Sequence, residues 1–392
     1  MKEIQAMSHP TTVLGNLLSH LERSDFESAV REHAGDLRVR TLDTNTLMKT
    51  LIYGQVTSAF SVREIETSLA VNSSKLYHCG LKLVKRSTLC DALEKRDHRI
   101  FETAFNSLVA KARLIAGNTG HRFKNPLKII DASTIELCLA RFDWAKFRTT
   151  KGAVKLHLKL DGDMFYPEQA ILTTGAVHEV NEMDNLCQKQ GEIYVMDRGY
   201  IDYKRLYNIE LCKSFFVTRM KANCDYENVE KTSSSKNGSI RYDGIIRLKG
   251  KYCTDNYPEL IRKVCYHDNE YNRDYVFITN NFDLSAQDIA DIYKSRWRVE
   301  LFFKWIKQNL KIKTFWGTSK NAVFIQIWVA LIVSLLLWIH KNVDGIKAST
   351  QRIIQSMKTT ILTHRTISSL FVLESSPNIP VFDQLCLRGF EN

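Results

Sequence analysis

Residues 293–311 bring together side chains that could act on a phosphate group. Read as a helix at 100° per residue, one narrow face carries a carboxylate, an aromatic hydroxyl and four cations: Glu300, Tyr293, Arg296, Lys304, Lys307 and Lys311. The other side carries an apolar stripe: Val299, Leu301, Phe302, Trp305, Ile306 and Leu310. One interpretation is a metal-binding carboxylate flanked by phosphate-binding groups. The alternative is a solvated helix face stabilised by ion pairs four residues apart.

The composition favours a polyanionic partner. The chain of 392 residues contains 55 Lys and Arg against 43 Asp and Glu, a net charge of +12. Hydrophobic residues make up 44%, which is typical of a globular chain and excludes a disordered one. The basic excess therefore indicates nucleic acid first and an anionic membrane surface second.

The cysteines and the apolar segments indicate the cellular compartment of the protein. None of the nine cysteines forms a CxxC pair, which excludes a zinc ribbon and favours a reducing cytoplasm over a disulfide scaffold. The first ten residues lack the apolar segment of a signal peptide. Residues 323–339 form a long apolar run, for which we predict a buried core helix rather than a membrane span.

Residues 10 to about 115 carry apolar residues at helical spacing throughout. Ser61 and Ser87 are predicted N-caps of short helices. The turn before Ser87 is basic, with Lys82, Lys85 and Arg86. Short helices entered through a basic turn indicate a helix-turn-helix whose second helix enters a DNA major groove. An ordinary helical domain with solvated lysines is the alternative.

Beyond a Gly- and Pro-containing boundary near residue 120, the pattern changes to strands. The first predicted strand carries Asp131 in its middle. Residues 153–161 alternate between apolar and polar types, which predicts a half-buried strand, and residues 153–174 together form a hairpin. A short buried strand at 193–196 ends at Asp197, which places that carboxylate at a carboxyl edge of the sheet.

Three other acids compete with Asp131 as the first ligand of this region: Asp143, Asp161 and Asp163. The turn that follows the strand at 153–161 explains the last two. Asp131 is therefore the favoured candidate.

A segment rich in strands separates these elements from the helix of Glu300. We divide the chain into five parts: a helical DNA-binding domain (1–118), the first part of the catalytic core (119–221), a mainly β insertion (222–283), the second part of the core (284–345) and a helical C-terminal region (346–392).

Three carboxylates occupy a characteristic order: Asp131 in the first strand, Asp197 after a later strand, and Glu300 on a helix after the insertion. This order predicts a ribonuclease H-like α/β fold, a mixed five-stranded sheet with flanking helices. In that fold the two Asp strands are neighbours and the Glu300 helix packs across them. Three hard oxygen ligands then meet, as two Mg²⁺ (or Mn²⁺) ions about 4 Å apart require for phosphodiester chemistry.

The spacing of Tyr293, Arg296, Glu300 and Lys307, with gaps of two, three and six residues, resembles a known signature. It is similar to the YREK motif of the insertion-sequence-four family of bacterial DDE transposases.

Further segments between about residues 125 and 340 extend the resemblance. Residues 197–200 resemble the second-Asp motif of the family, 215–219 the strand after it, and 275–280 the strand that leads into the signature helix. A β insertion is also a family trait, and the N-terminal helices resemble those of a subset of members. One departure is Ala132-Ser133 after the first Asp, where some members carry a second acid and a Thr.

The resemblance implies roles for side chains beside the three carboxylates. Tyr293, Arg296 and Lys307 would contact DNA phosphates near the cleaved end, and Arg219 is a further phosphate candidate. Cations beside a metal site position a scissile phosphate, and Lys304 shares that face. Trp297 on the rim could stack on an unpaired base, although a core tryptophan is the favoured interpretation.

We therefore predict a cut-and-paste transposase of an insertion sequence. It would bind the terminal inverted repeats of its element, cleave the DNA and join the 3′-hydroxyl ends to target DNA. The resemblance implies a hairpin intermediate, a homodimer in the synaptic complex and a bacterial, nucleoid-associated cytoplasmic protein without a membrane partner. The alternatives are a ribonuclease H-like nuclease without strand transfer, an inactive transposase kept as a DNA-binding protein, and a membrane-associated basic protein.

Overall fold

The computed structural model describes residues 12–117, 122–149, 151–233, 238–310, 312 and 314–372. In these ranges the α-helices are α1 (Val13–Leu18), α2 (Arg23–Glu32), α3 (Thr44–Val56), α4 (Val62–Val71), α5 (Ser73–Leu76), α6 (Arg86–Lys95), α7 (Arg99–Ala116), α8 (Met183–Leu186), α9 (Tyr203–Leu211), α10 (Lys251–Asn256), α11 (Ala286–Ser295), α12 (Trp297–Asn309), α13 (Lys320–Val343) and α14 (Thr350–Thr360).

The strands are β1 (Leu127–Leu137), β2 (Lys146–Arg148), β3 (Lys151–Asp161), β4 (Pro167–Thr174), β5 (Ile193–Val195), β6 (Phe215–Arg219), β7 (Tyr226–Ser233), β8 (Ile240–Leu248), β9 (Ile261–Asp268) and β10 (Arg273–Thr279). They form one mixed sheet in the order β2-β3-β1-β5-β6-β10-β9-β8-β7, with β4 beside β3. The prediction of a mixed α/β fold preceded by helices is confirmed.

The sheet is larger than the five strands that we predicted. β5 runs parallel to both β1 and β6, whereas β3 is antiparallel to β1. β10 then pairs antiparallel with β6, so that Phe277 stands opposite Arg219, and β9, β8 and β7 follow. The strands of the insertion thus continue the core sheet, because they satisfy the backbone groups that β6 would otherwise leave unpaired at an edge. The domain boundaries themselves stay a prediction.

β3 is buried on both faces, not on one as its alternation predicted. Its apolar positions Leu156 and Leu158 are fully buried, and so is His157 between them; the flanking Lys155 and Lys159 are buried as well. Lys155 donates to the carbonyl of Val177, and Lys159 donates to that of Leu186. The long lysine side chains reach carbonyl acceptors, which compensates the burial of their charge.

Helix starts follow the predicted caps in part. The Ser61 side chain accepts a hydrogen bond from the Glu64 amide, as an N-cap does. α6 begins at Arg86, so Ser87 lies inside it, and Lys85 is the N-cap without a side-chain cap bond. The backbone of Lys85 is extended, and the turn into the helix therefore occurs before the serine.

α13 is the central helix of the helical half of the molecule. It is long and apolar enough to cross a bilayer, yet 94% of its most apolar window is buried inside the protein. It packs against α3, α6 and α7 from the N-terminal region and against α14. Its polar Gln326 accepts from the Trp316 amide and donates to the Thr314 carbonyl. Packing within the protein therefore accounts for its apolar composition, as predicted for a core helix.

The single helix predicted over residues 293–311 is divided between two helices. α11 ends at Ser295 and α12 starts at Trp297, with Arg296 as the junction. Leu301, assigned to the apolar stripe, is 63% exposed, whereas Phe303 is buried in its place. The backbone of Arg296 is itself in the helical region, and its amide donates to the carbonyls of Tyr293 and Lys294. Lys311 lies outside the described residues.

Candidate active site

Asp131 and Asp197 occupy equivalent positions on neighbouring parallel strands. The last paired residues of β1 and β5 are Ile129 and Val195; Asp131 lies two residues further along β1, and Asp197 lies two residues beyond the end of β5. Because side chains alternate between faces, each aspartate points to the same face as that pair. The topology thus brings two carboxylates together at the carboxyl edge of the sheet.

Asp197 is held at this edge by its own backbone turn. Its side chain accepts a hydrogen bond from the Gly199 amide at 2.5 Å, and its carbonyl accepts from the Thr218 hydroxyl at 3.1 Å. The Asp-Arg-Gly sequence therefore forms the local turn that ends β5, which fixes the direction of the carboxylate.

Arg296 connects Glu300 of α12 to the sheet. Its guanidinium donates to Glu300 Oε1 at 2.9 Å and to Asp131 Oδ2 at 3.4 Å. The Arg296 side chain is only 9% exposed, and its Nε is buried without a hydrogen-bond partner among the described residues. The Arg296–Glu300 pair of the solvated-face interpretation does form. Its Arg296 end is buried against a strand carboxylate, whereas the Glu300 side chain is 41% exposed.

A cleft of about 510 Å³ separates α12 from the edge of the sheet. It is lined by Asp131, Ala132, Ser133, Asp197, Arg296, Glu300, Phe303, Lys304, Lys307 and Gln308. Lys307 Nζ donates to the Thr134 carbonyl at 3.0 Å, which ties α12 to β1. The three predicted carboxylates and three of the predicted cations thus share one cleft.

The electrostatics of the cleft single out Asp131. Burial raises its pKa to about 7, and the charges of Asp197 and Glu179 act in the same direction. The Ala132 amide, at 2.8 Å from Asp131 Oδ1, and the Arg296 charge oppose that shift. Burial likewise raises the pKa of the Tyr200 hydroxyl, and Asp131 is the neighbouring charge that adds most to it. Burial is thus the main cause of the raised pKa of Asp131, and the charges of the neighbouring carboxylates add to it.

Two of the three acids that competed with Asp131, namely Asp161 and Asp143, have structural roles. Asp161 forms a buried ion pair with Lys128 at 2.8 Å, and its other oxygen accepts from the Met164 amide in the turn. Asp143 accepts from the adjacent Trp144 amide at 2.8 Å in the connection between β1 and β2. Neither lines the cleft.

The other predicted DNA-contacting residues lie beside the cleft. Tyr293 is buried on α11, with the guanidinium of Arg296 5.8 Å from its ring centroid. Arg219 ends β6 and stacks over the ring of Tyr275 at 5.1 Å. Trp297 is 61% exposed, so the favoured interpretation of a core tryptophan is wrong. Tyr275, Tyr293 and Trp297 line a second, aromatic cleft of about 450 Å³.

Residues 122–336, more than half of the chain, match the family model described as the transposase DDE domain. The chain belongs to this family. Membership confirms the prediction of a DDE transposase domain, which is an enzyme domain. Residues 9–82 match a second model, described only as a domain of unknown function.

Two relatives of the chain are named as transposases, one of them for an insertion sequence element. Over 222 residues the chain is 34% identical to a probable transposase for insertion sequence element IS5377 of Geobacillus stearothermophilus, covering 56% of this chain and 58% of that protein. It is 29% identical over 265 residues to the putative transposase y4zB of Sinorhizobium fredii, covering 66% and 72%. The matched region thus spans less than two thirds of the first of these relatives.

A solved structure shares the fold of this transposase domain. It is the piggyBac transposase in a synaptic complex with hairpin DNA, with a TM-score of 0.50 over 94% of this chain and 83% of that one. The two sequences are 10% identical, so the similarity concerns the fold alone.

DDE transposase domains in general depend on divalent metal ions, and the donors in this cleft suit such an ion. Asp131, Asp197 and Glu300 offer hard carboxylate oxygens, which Mg²⁺ and Mn²⁺ prefer, and a bound cation would favour the ionised form of Asp131. In the described part of the chain, no three Asp, Glu, His or Cys side chains already stand close enough to hold a metal ion. The Arg296 guanidinium bridges two of the three carboxylates instead.

Sequence reasoning missed several residues of the cleft. Ser133 and Gln308 line it, and the buried Tyr200 hydroxyl, which lacks a hydrogen-bond partner among the described residues, lies near its carboxylates. Tyr200 and Gln308 each stand close in sequence to a predicted residue, Asp197 and Lys307. This proximity in the sequence was the signal that could have identified them as residues of the cleft.

Proposed function

We propose that this protein is the transposase of a bacterial insertion sequence of the insertion-sequence-four family. It would cleave DNA at the ends of its element and join the freed 3′-hydroxyl groups to target DNA. The observation that supports this most directly is the pairing of Asp131 and Asp197 on adjacent parallel strands, opposite Glu300 in a cleft that also contains lysines. We assign β4, β3, β1, β5 and β6 to a ribonuclease H-like core.

In this proposal Asp131, Asp197 and Glu300 hold two Mg²⁺ or Mn²⁺ ions. Bound there, the ions would stabilise charge on the phosphate and lower the pKa of an attacking water. The chain itself would orient the carboxylates: the Gly199 amide holds Asp197, and the Ala132 amide holds Asp131. Arg296 would release the carboxylates as the ions bind.

The cations beside the cleft would hold the DNA. Lys304 is exposed at its rim, and Arg296 and Lys307 line it, so all three can approach a scissile phosphate. Tyr293 and Arg219 would contact phosphates beside the same end. The exposed Trp297 would stack on an unpaired base there, because an exposed indole offers a flat surface of the required kind.

The N-terminal helices would bind the terminal inverted repeats. Residues 75–86 contain four Lys and Arg and no acid, and Lys82, Lys85 and Arg86 are exposed before or at the start of α6. The C-terminal region adds to this surface, because the rings of His78 and His364 lie 5.0 Å apart. When such a surface contacts the phosphates of DNA, these contacts hold one of its helices in the major groove.

We further propose that two copies pair the two ends of the element in a synaptic complex, with a hairpin intermediate on those ends. The burial of α13 inside the protein is in keeping with a protein that acts on DNA in the bacterial cytoplasm, associated with the nucleoid.

The test is Asp197→Asn, assayed on a duplex that carries one end of the element. We expect cleavage in Mg²⁺ to be lost and DNA binding to stay within about twofold, because binding depends mostly on phosphate contacts elsewhere. Asp255→Asn on the exposed face of α10 is the matched control and should cleave normally. Normal cleavage by the Asp197 variant would refute the assignment of the site.

Glu300→Ala separates the catalytic interpretation from the solvated-face alternative. As a metal ligand, Glu300 is required for cleavage in both Mg²⁺ and Mn²⁺, while its removal leaves end affinity unchanged or higher. If Glu300 served only an ion pair, the change would cost a few tenths of a kcal/mol and activity would persist. Strand joining by the unmodified protein, with paired ends, would distinguish a transposase from a nuclease without strand transfer.

A further inference from the structure

β1 and β3 project beyond the edge of the sheet at which the carboxylates lie, and β4 accompanies β3 as far as the pair of Val154 with Thr174. β5 pairs with β1 only as far as Ile129, yet β1 continues to Leu137 with β3 beside it along its whole length. The connection that follows β1 carries β2, which pairs with the start of β3. We call residues 132–157 the β-arm, and its tip is the described part of residues 138–151.

The tip is strongly basic and open to solvent. Between 138 and 151 the sequence contains four Lys and Arg and one acid, Asp143. All four cations are exposed: Arg141, Lys146, Arg148 and Lys151. Lys151 lies 3.6 Å from Glu136, whereas the other three form no ion pair with any residue in the described ranges. Unpaired exposed cations in one short segment indicate an external anion.

Aromatic side chains hold the tip against the helical half of the protein. Trp144 Nε1 donates to the Thr318 carbonyl at 2.7 Å, and the ring of Trp144 meets that of Phe324 on α13. The ring of Phe142 packs edge-on against Phe315 with centroids 6.2 Å apart. A tip anchored in this way presents its cations in a set position, which lowers the entropy lost on binding.

The position of the tip relative to the cleft follows from strand geometry. Leu137 lies six residues beyond Asp131 on β1, and at about 3.3 Å per residue this is about 20 Å. A DNA duplex rises about 3.4 Å per base pair, so the tip lies about six base pairs from the carboxylates. Lys307 contacts β1 at Thr134, between the two. Cations therefore accompany the arm from cleft to tip.

We propose that the tip of the β-arm binds the backbone of double-stranded DNA about six base pairs from the phosphate that the cleft cleaves. The contacts go to phosphates through Arg141, Lys146 and Arg148 and are independent of base sequence. This inference rests on the proposed function for the position of the cleaved phosphate; the binding itself follows from the charge, exposure and anchoring of the tip.

The experiment compares the full-length protein with Arg141→Ala/Lys146→Ala/Arg148→Ala. The probe is a duplex of about fifty base pairs that joins an end of the element to its flanking DNA. We expect the triple variant to bind more weakly and its slope of log K against log salt to be smaller by about two to three units, close to 0.9 per lost phosphate contact. Arg141→Lys/Arg148→Lys, which conserves charge, should retain the slope. The melting temperature should stay within a few degrees, because the anchors are untouched.

Lys204→Ala/Lys251→Ala provides a matched control with cations removed from α9 and α10, and its slope of log K against log salt should equal that of the unmodified protein.

A second experiment uses two shortened duplexes. One keeps only about three base pairs of flanking DNA beyond the cleavage point, and the other keeps only about three base pairs of the element on the opposite side. The affinity difference between the triple variant and the unmodified protein should vanish with one of the two short probes.

An unchanged slope in the triple variant, or a difference that survives both truncations, would overturn the proposal for the arm while the unmodified protein still binds and cleaves its ends. Failure of the unmodified protein to bind or cleave those ends would instead refute the proposed function.

Discussion

Replacing Asp131 with Asn tests the electrostatics of the cleft directly. Asp131 is 15% exposed, and burial is the main cause of its raised pKa. Asparagine has nearly the same shape and keeps a carbonyl oxygen for the Ala132 amide, but carries no charge. It loses the ionic contact with Arg296, which is long at 3.4 Å. The substitution therefore removes a costly buried charge and little else.

The sign and size of the effect follow from the pKa of about 7, against 3.8 for the ordinary carboxyl. Below pH 3.8 Asp131 is protonated in both the folded and the unfolded states, so it does not make the free energy of unfolding depend on pH. Between these two values the folded state keeps a proton that the unfolded state releases. Stability then falls by about 1.4 kcal/mol per pH unit, up to roughly 4 kcal/mol above pH 7.

We expect Asp131→Asn to gain stability relative to the unmodified protein by about 3 kcal/mol between pH 5 and pH 8. The measurement is the free energy of unfolding in urea at several pH values, with EDTA present to remove metal ions. Taking the difference between the two proteins cancels the titration of groups common to both. A difference that is independent of pH, or an Asn variant that is less stable at pH 8, would refute this reasoning.

Three more predictions concern single contacts. Lys307→Ala should weaken binding to element ends and lower the slope of log K against log salt by about one unit, measured by fluorescence anisotropy. Gln326→Leu should destabilise the fold by about 1–3 kcal/mol in urea unfolding, because the buried Trp316 amide loses its acceptor; an unchanged stability would argue against that bond. Gly162→Ala should lower the melting temperature, since its Cβ would meet Leu127 Cγ at 2.6 Å and the Leu127 carbonyl at 2.9 Å; a melting temperature equal to that of the unmodified protein would contradict this.

Local patterns in the sequence determined much of the secondary structure and the choice of acids. β3 alternates visibly, the apolar run of α13 predicts a core helix, and Asp197 ends a short apolar strand. These features depend on residues close together in the chain, so their periodicity and turn chemistry can be recognised without knowing which segments pack against them. The residues assigned to the cleft, Asp131, Asp197, Glu300 and Lys307, follow from such patterns together with their spacing.

The tertiary structure alone decided what depends on distant partners. The pairing of β10 with β6 made the insertion part of one sheet, although nothing local in either strand specifies its neighbour. The hydrogen bond from Arg296 to Asp131 joins positions that are 165 residues apart in the chain. Likewise the helical N-terminal region shares its core with α13, and the tip of the β-arm is anchored by Thr318 and Phe324. Burial raises the pKa of Asp131 for the same reason: its surroundings come from segments that only the folded chain brings together.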